Sequence, residues 1–372
     1  MLQDKSAGER QKIQMNRPDL TRLKSCMRRA EAGEELTIGF FGGSITQDSL
    51  ATKHENCYAY RVFRWWEETF PKAAFHYVNG GIGGTTSHYG VSRVVTDMLM
   101  YQPDFVVVDF SVNDDPNEFF QETYEGLIRK MLTWSSKPAV LLLNNVFYDT
   151  GKNAQEYHNR VGDWYYLPHV SIKDTVWPRM KAGEFTREEI TPDGLHPNDK
   201  GHGLVAAEIT TYLEQVKEHM WEDELTRKFF LPMTENAYED ARRLTIRESC
   251  PELDGFRADT EEKKGHLDHF KNGWIGKKAG DRITFKVNAS CIAVQYRKTV
   301  SRPAQTARMI LDGDVEHSIL LDGNFDEDWG DCLYLEPVLH HGKFGRHTVE
   351  IEILPAEYET AEPFYLMALI TA

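Results

Sequence analysis

Short, almost purely apolar runs alternate with longer stretches of helical character between about residues 36 and 213. The runs at 105–108 and 139–143 are nearly continuous, which is typical of strands buried on both faces of a parallel sheet. A proline follows each of the three helical stretches between the runs. The alternation predicts an α/β fold, a three-layer α/β/α arrangement with a parallel sheet and right-handed crossovers. The predicted strands are 36–41, 75–78, 105–108 and 139–143, and the predicted helices are 58–70, 87–101 and 118–134.

The sequence changes character after about residue 221. Short β-rich runs replace the helical pattern, and several alternate polar and apolar residues as half-buried strands do. The pair Asp312–Gly313 favours a type I′ hairpin turn before a strand from Val315, because that turn needs positive φ at both central residues. This half predicts a second, C-terminal domain, an antiparallel β-sandwich or jelly roll. Its predicted strands include 282–287, 291–296, 347–353 and 364–370.

The expected domain order follows from this change. We expect an N-terminal arm, an α/β domain, a charged linker segment and the β-sandwich. The expected bounds are 1–34, 35–218, 219–255 and 256–372, respectively.

The charge of the chain restricts its partners. The 43 Lys and Arg residues are outnumbered by 58 Asp and Glu, which gives a net charge of −15, and there is no long basic run. A phosphate-binding surface needs clustered cations, so we expect neither nucleic acid nor an anionic membrane as a partner. No apolar stretch approaches the roughly 18–20 residues that span a bilayer. The polar N-terminus and five scattered cysteines favour a cytoplasmic protein with reduced thiols.

Polar or glycine-rich blocks follow the predicted strands. Ser44 comes directly after the first strand, a glycine-rich turn at 79–86 follows the second, and Asn113 follows the third. Asp193 and His196 precede a later helical stretch. Because the carboxyl ends of parallel strands meet at one edge of a sheet, we expect these groups to converge there.

Each block alone is commonly an ordinary loop or a helix cap, but together they hold what acyl transfer needs. A serine can be the nucleophile, a histidine its base, and an aspartate the group that orients the histidine. Backbone N–H groups and an asparagine amide can stabilise an oxyanion. The glycine turn matches neither G-x-G-x-x-G nor the P-loop, so we do not expect nucleotide binding. We expect no cofactor and assign no metal site, although the acidic loop at 326–331 leaves calcium binding open.

The same four blocks, in the same order, resemble those of the SGNH (GDSL-like) hydrolase superfamily over about residues 35–215. The resemblance implies an SGNH-type catalytic domain with a catalytic triad and an oxyanion hole. The implied triad is Ser44, Asp193 and His196, and the implied oxyanion donors are Ser44, Gly84 and Asn113.

Two positions depart from the family pattern. Gly43 replaces the usual Asp before the serine, and Ser111 replaces the usual Gly of G-x-N-D. Neither change removes a catalytic group, but we expect both to alter the shape of the acyl pocket. Ser44 also lies outside a G-x-S-x-G nucleophile elbow, which argues against the common α/β-hydrolase plan.

The order of the two domains gives a narrower resemblance, to bacterial carbohydrate acetylesterases of the acetyl-mannan esterase type. Their second domain resembles a family-thirty-five carbohydrate-binding module. The resemblance implies a serine esterase that removes O-acetyl groups from acetylated, hemicellulose-derived oligosaccharides, with mannan favoured, through an acetyl-serine intermediate. Two alternatives stay open. One is an SGNH lipid esterase or thioesterase, which needs an apolar acyl channel, and the other is a non-catalytic carbohydrate-binding protein.

Three aromatic residues of the β domain lie in or near glycine-containing loops. Sugar rings present apolar faces that stack on flat aromatic side chains, so these residues are candidates for binding a saccharide. The alternative for each is packing in the core or between the domains. The three residues are Trp274, Trp329 and Tyr334.

Overall fold

The computed structural model describes residues 18–223, 226, 231–356, 359–360 and 362–372. The chain divides into two compact units, and the main boundary between them falls after Asn236. That boundary lies within the segment 219–255, which the sequence marks as a linker.

The first unit contains the alternating helices and strands. Its strands are β1 (Glu35–Gly42), β2 (Ala74–Asn79), β3 (Phe105–Asp109), β4 (Ala139–Asn144) and β5 (His169–Ser171). Its α-helices are α1 (Thr21–Glu31), α2 (Ser44–Gln47), α3 (Tyr58–Thr69), α4 (Ser87–Asp97), α5 (Glu118–Thr133), α6 (Gln155–Trp164), α7 (Val176–Lys181) and α8 (Asp199–Glu218). Two short 3₁₀ turns span His54–Asn56 and Leu99–Tyr101.

The five strands of the first unit form one parallel sheet in the order β2-β1-β3-β4-β5. The order places β1 and β3 side by side at the centre of the sheet. Gly42 at the end of β1 pairs in register with Asp109 at the end of β3. The loops that leave these two strands therefore start next to each other, at the carboxyl edge of the sheet.

Alternate residues of the central strands face two different helical layers. Ile38 and Phe40 of β1 belong to a core that includes apolar residues of α1, α3 and α8. Gly39 faces the other way, because a Cβ built there would lie 2.5 Å from Met98 Sδ, just after α4. Leu142 of β4 faces α6 in the same layer, close to Gly162. The sheet is thus covered on both faces, which confirms the three-layer prediction.

The second unit consists of two antiparallel sheets. Its strands are β6 (Arg242–Leu244), β7 (Glu252–Asp254), β8 (Arg257–Ala258), β9 (Trp274–Gly276), β10 (Arg282–Ala289), β11 (Ile292–Lys298), β12 (Thr306–Leu311), β13 (Ile319–Asp322), β14 (Cys332–Leu339), β15 (Gly345–Ile353) and β16 (Phe364–Thr371). One sheet has the order β13-β12-β15-β10-β7, and the other has the order β14-β11-β16-β9-β8, with β6 paired to β16. One apolar core receives side chains from both sheets, for example Phe285 of β10 and Val294 of β11. This arrangement confirms a C-terminal antiparallel sandwich.

The turn at Asp312–Gly313 forms as the sequence predicts, but the strand after it begins later. Asp312 and Gly313 have φ of 53° and 79°, and the Asp314 N–H donates to the Leu311 carbonyl across the turn. Strand β13 starts at Ile319 rather than at Val315. The intervening residues form a loop in which Asp314 accepts hydrogen bonds from the backbone and ring of a nearby histidine.

Among the described residues, no helix combines the length and the apolar character that crossing a membrane requires. All five cysteines are free thiols, and Cys250 is exposed while the others are buried.

Candidate active site

Ser44 lies at the carboxyl edge of the parallel sheet, where the chain leaves β1 and starts α2. The turn is tight because a Cβ on Gly42 would lie 2.4 Å from both the Asp109 carbonyl oxygen and Thr46 Oγ1. Gly43 then donates its N–H to the Asp109 carbonyl over 3.2 Å. Glycine at position 42 is therefore required by close approach of the backbone.

His196 contacts Ser44 from a loop that precedes α8. Its Nε2 lies 2.9 Å from Ser44 Oγ, and its Nδ1 lies 2.7 Å from Asp193 Oδ2. With Asp193 ionised, Nδ1 carries the proton and donates to the carboxylate, while Nε2 accepts from the serine hydroxyl. The sequence prediction that these three residues converge agrees with this geometry.

The Asp193 carboxylate is held by its own loop. Its Oδ1 accepts the backbone N–H groups of Leu195 at 2.9 Å and His196 at 2.8 Å, and the Thr191 hydroxyl at 3.1 Å. Partial burial acts to raise the pKa of Asp193, but hydrogen bonds from the His196 ring and from these two backbone N–H groups outweigh it and lower the pKa to about 2. Asp193 is thus a carboxylate in neutral and in mildly acidic solution.

The glycine-rich loop after β2 lies beside Ser44. Gly83 donates its N–H to Gln47 Oε1 on α2, and a Cβ on Gly83 would lie 3.6 Å from Ser44 Cβ. Gly84 follows with φ of 66°, a left-handed conformation that favours glycine. Among the described residues its N–H has no hydrogen-bond partner, so it is available to a ligand.

Asn113 reaches the same place from the loop after β3. Its side chain packs against Gly43, because a Cβ there would lie 2.2 Å from Asn113 Oδ1 and 3.0 Å from its Nδ2. This contact explains the first departure from the family pattern. With the side chain of Asn113 in this position, residue 43 has no room for a side chain.

Ser111, the second departure, uses its hydroxyl to tie two loops together. It is fully buried, and its Oγ–H donates to the Asn145 carbonyl at 3.1 Å, just after β4. Its own carbonyl accepts the Ala154 N–H at 2.7 Å. The hydroxyl therefore makes a link between loops that a glycine in the same place does not provide.

Asp114, next to Asn113, caps a helix that lies far away in the sequence. Its Oδ1 accepts the Ser87 N–H at 2.8 Å, in the first turn of α4, and its Oδ2 lies 3.0 Å from His158 Nε2. Both ionisable side chains are fully buried, and Tyr124 stacks on the His158 ring at 3.7 Å. Since α4 starts three residues after Gly84, Asp114 links the two loops that carry Gly84 and Asn113.

Several of these supporting residues escape sequence reasoning. Gln47 and Asn145 follow strands and Asp109 ends one, and nothing in the sequence shows that their side chains turn inward. For Asp114 the signal was available, because it adjoins Asn113 and aspartate is a common helix cap. The helix that it caps is not the next one along the chain, whose N-cap is Asn117.

The structure places the three aromatic candidates of the second unit in different environments. Trp274 is 1% exposed and packs edge-to-face on Phe285 in the sandwich core, which corrects the prediction that it could bind a saccharide. Trp329 is 53% exposed, contacts Phe325 edge-on and donates its indole N–H to Glu327. Tyr334 is half-buried, and Lys298 Nζ lies 4.1 Å from its ring centroid.

Together, a serine, a histidine and a carboxylate bonded in series, with two further donors beside the serine, form the arrangement of a serine hydrolase. The sequence matches the GDSL-like lipase/acylhydrolase family over residues 40–204. Two crystal structures of a two-domain esterase active on acetylated mannans are each 50% identical to this chain, and each match covers 96% of both chains. Their TM-scores are 0.92, for a co-crystal with mannopentaose, and 0.94. A comparison with curated proteins gave no match.

The chain belongs to the GDSL-like lipase/acylhydrolase family, and it is a carboxylic ester hydrolase. This confirms the family that the four sequence blocks indicate.

Proposed function

We propose that this protein removes O-acetyl groups from acetylated oligosaccharides, with mannan-derived oligosaccharides as the favoured substrates. The observation that carries the proposal is the match over both units, 50% identical across 96% of the chain, to an esterase active on acetylated mannans. A match restricted to the hydrolase unit would support ester hydrolysis alone. Because the similarity extends through the sandwich, it also supports an acetylated saccharide as the substrate.

In the proposed reaction Ser44 Oγ attacks the acetyl carbonyl carbon, and His196 Nε2 takes the serine proton. The 2.9 Å distance between these two atoms suits that transfer. The Asp193 carboxylate fixes the ring and stabilises the imidazolium that forms. Because the pKa of Asp193 is about 2, this carboxylate keeps its charge in mild acid and can still orient His196 there.

The oxyanion receives hydrogen bonds from the N–H groups of Ser44 and Gly84 and from the side-chain amide of Asn113. When the intermediate collapses, His196 gives its proton to the departing sugar oxygen. Water then attacks the acetyl-serine with His196 as base, and acetate leaves. Ser44, Asp193 and His196 are the proposed catalytic triad. Trp329, and with less exposed surface Tyr334, are the proposed saccharide contacts of the second unit.

The test is mass spectrometry of acetylated manno-, xylo- and pectic oligosaccharides after incubation with the protein, together with aryl esters of increasing acyl length. We expect loss of acetyl groups from the manno-oligosaccharides and fastest hydrolysis of the acetyl ester. Faster hydrolysis of long acyl esters would contradict the proposal and favour a lipid esterase.

Substitution of Ser44 by Ala is the control for the nucleophile. We expect the variant to fold and to keep no more than a few per cent of the wild-type rate, because triad members act as a unit. His196→Ala should lose a comparable amount. A substantial rate in either variant would contradict the triad.

A further inference from the structure

A buried carboxyl group lies directly beneath the nucleophile turn. Asp109 is the last residue of β3 and is 2% exposed. Its Oδ2 accepts a hydrogen bond from the Asn145 amide at 2.9 Å and a longer one from the Thr46 hydroxyl at 3.4 Å. Since its carbonyl also accepts the Gly43 N–H, Asp109 contacts the turn on both sides of Ser44.

The surroundings of this carboxyl group do not favour a negative charge. Among the described residues, no Lys, Arg or His forms an ion pair with Asp109. Strand β1 presents Gly42 to it, α2 presents Thr46, and the segment after β4 presents Asn145. The ionisable groups nearby are the Tyr58 hydroxyl of α3, bonded to Thr46 at 2.8 Å, and Tyr124 of α5. Burial raises the pKa of both tyrosines, so both are neutral.

Two buried oxygens at this place lack a hydrogen-bond partner among the described residues, Asp109 Oδ1 and Asn145 Oδ1. They belong to two groups that already share one hydrogen bond. A proton on Asp109 Oδ1 would satisfy both, because the acid would then donate to the amide oxygen while the amide nitrogen donates to Oδ2. Turning the amide round would bring oxygen against carboxylate oxygen, which again requires a proton on Asp109.

We propose that Asp109 is a positioning residue that works as a neutral carboxylic acid, paired with the Asn145 amide, to hold the turn that carries Ser44. The proposal rests on the proposed function of that site. Ionisation of Asp109 would place an uncompensated negative charge next to the turn where the oxyanion forms, and it would break one bond of the acid–amide pair. The catalytic rate should therefore fall as Asp109 loses its proton.

The pKa of Asp109 supports this assignment. Burial raises it to about 7, against the opposing effect of the hydrogen bonds from Asn145 and Thr46. The acid is thus expected to be protonated in weakly acidic solution and to titrate near neutral pH.

The direct test is infrared spectroscopy of the full-length protein between pH 5 and pH 9, in ordinary and heavy water. We expect a band of a protonated carboxylic acid that is lost as the pH rises and is absent from Asp109→Asn. Thr46→Val removes a donor that stabilises the charged form, so it should move the midpoint of this titration to higher pH. Absence of any protonated-acid band sensitive to Asp109→Asn would overturn the proposal.

Kinetics gives a second readout. The amide introduced by Asp109→Asn can make the same two bonds with Asn145 as the neutral acid, so this variant should keep kcat within a few-fold at pH 6 and lose the alkaline decline of the wild type. Asp109→Val can make neither bond and should lose at least about ten-fold. Equal losses in the two variants, or an unchanged alkaline decline in Asp109→Asn, would overturn the proposal.

Stability separates this proposal from the proposed function. The unfolded chain holds Asp109 near its ordinary pKa of 3.8, so the folded state binds the extra proton between there and about pH 7. Wild-type stability should therefore fall relative to Asp109→Asn as the pH rises through this interval. If both titrations are observed but the protein hydrolyses no acetyl ester, the proposed function is refuted and the proposal for Asp109 stands. If the protein hydrolyses acetyl esters but shows neither titration, the proposal for Asp109 is refuted and the proposed function stands.

Discussion

Gly43 affects the position of Asn113, one of the proposed oxyanion donors, because it has no side chain. A methyl group there would lie 2.2 Å from Asn113 Oδ1, and a real Cβ cannot approach so closely. The neighbouring amide must therefore move if residue 43 gains a side chain. The position of Asn113 is set by the size of a residue that takes no part in the chemistry.

We therefore expect Gly43→Ala to lower kcat by about 10²–10³, as Asn113→Ala should, since either change removes one oxyanion donor. KM for an aryl acetate should change little. The double variant should be no slower than the slower single variant, because both changes remove the same interaction.

Gly265→Ala is the matched control for the glycine change, since a Cβ there meets nothing within 4 Å. It should leave kcat unaltered. Full additivity of the Gly43 and Asn113 losses would show that Gly43 acts by another route.

At this scale the sequence predicts which residues carry the chemistry better than it predicts what holds them. Ser44, Gly84 and Asn113 each follow a strand of a parallel sheet, and parallel strands end at one edge. Their supports, such as the acid–amide pair of Asp109 and Asn145, depend on which loop side chains turn inward. That choice is made by tertiary packing, and it leaves no periodic trace in the sequence.

At the scale of elements, Asp114 joins the loop after β3 to the start of α4. Its carboxylate accepts a hydrogen bond from the Ser87 N–H. N–H groups in the first turn of a helix have no acceptor within the helix, so they need one from outside it. We expect Asp114→Ala to lower the free energy of unfolding by about 2 kcal/mol or more, through loss of the cap and of the buried partner of His158. It should also lower kcat at least about ten-fold, because Gly84 and Asn113 lose their common support.

Asn117→Ala is the control for that prediction. Asn117 caps α5 from the same loop, accepting the Phe120 N–H at 3.0 Å, and among the described residues its side chain makes no hydrogen bond to α4. It should cost about 1 kcal/mol in urea unfolding and leave kcat within about two-fold. If Asp114→Ala loses stability but keeps its kcat, the link between the two loops is purely structural.

Elements with a strong pattern were predicted well, and short ones were not. The four predicted strands of the first sheet all form. Strands β3 and β4 are buried along their whole length, whereas β2, at the edge of the sheet, is only partly buried. Strand β5 escaped prediction because it has only three residues, and the short helix α7 spans only Val176–Lys181. In the hairpin, the Asp312–Gly313 pair predicted the turn correctly. No feature of the local sequence showed that strand β13 begins only at Ile319.

At the scale of the whole molecule, the proposed saccharide contact of Trp329 predicts a difference between long and short substrates. Trp329 is exposed, so it can offer its ring to a sugar. We expect Trp329→Ala in the full-length chain to raise KM for acetylated manno-oligosaccharides several-fold and to leave hydrolysis of a small aryl acetate unchanged, since remote contacts help only a substrate long enough to reach them.

Phe344→Ala is the control, since it removes another aromatic side chain of the same unit that is 70% exposed. It should leave the hydrolysis of both substrates unchanged. Equal effects of Trp329→Ala on both substrates would point to a structural role for the tryptophan.

The division into an α/β unit and a sandwich was predictable, because the hydrophobic period changes along the chain. The burial of Trp274 was not, because a tryptophan near a glycine loop has the same local sequence whether its ring faces the core or the solvent.

His196 and Asp193 lie three positions apart in the sequence, whereas His196 and Ser44, which also form a hydrogen bond, are separated by 152 positions. A cut at the exposed turn around Gly183, where a Cβ would meet no other atom, divides the machinery cleanly. One fragment holds the proposed nucleophile and all three proposed oxyanion donors, and the other holds the proposed general base. Neither piece contains a complete set, so recovered ester hydrolysis would report that the two have come together. The two fragments could therefore serve as a split enzyme, in which ester hydrolysis reports their association.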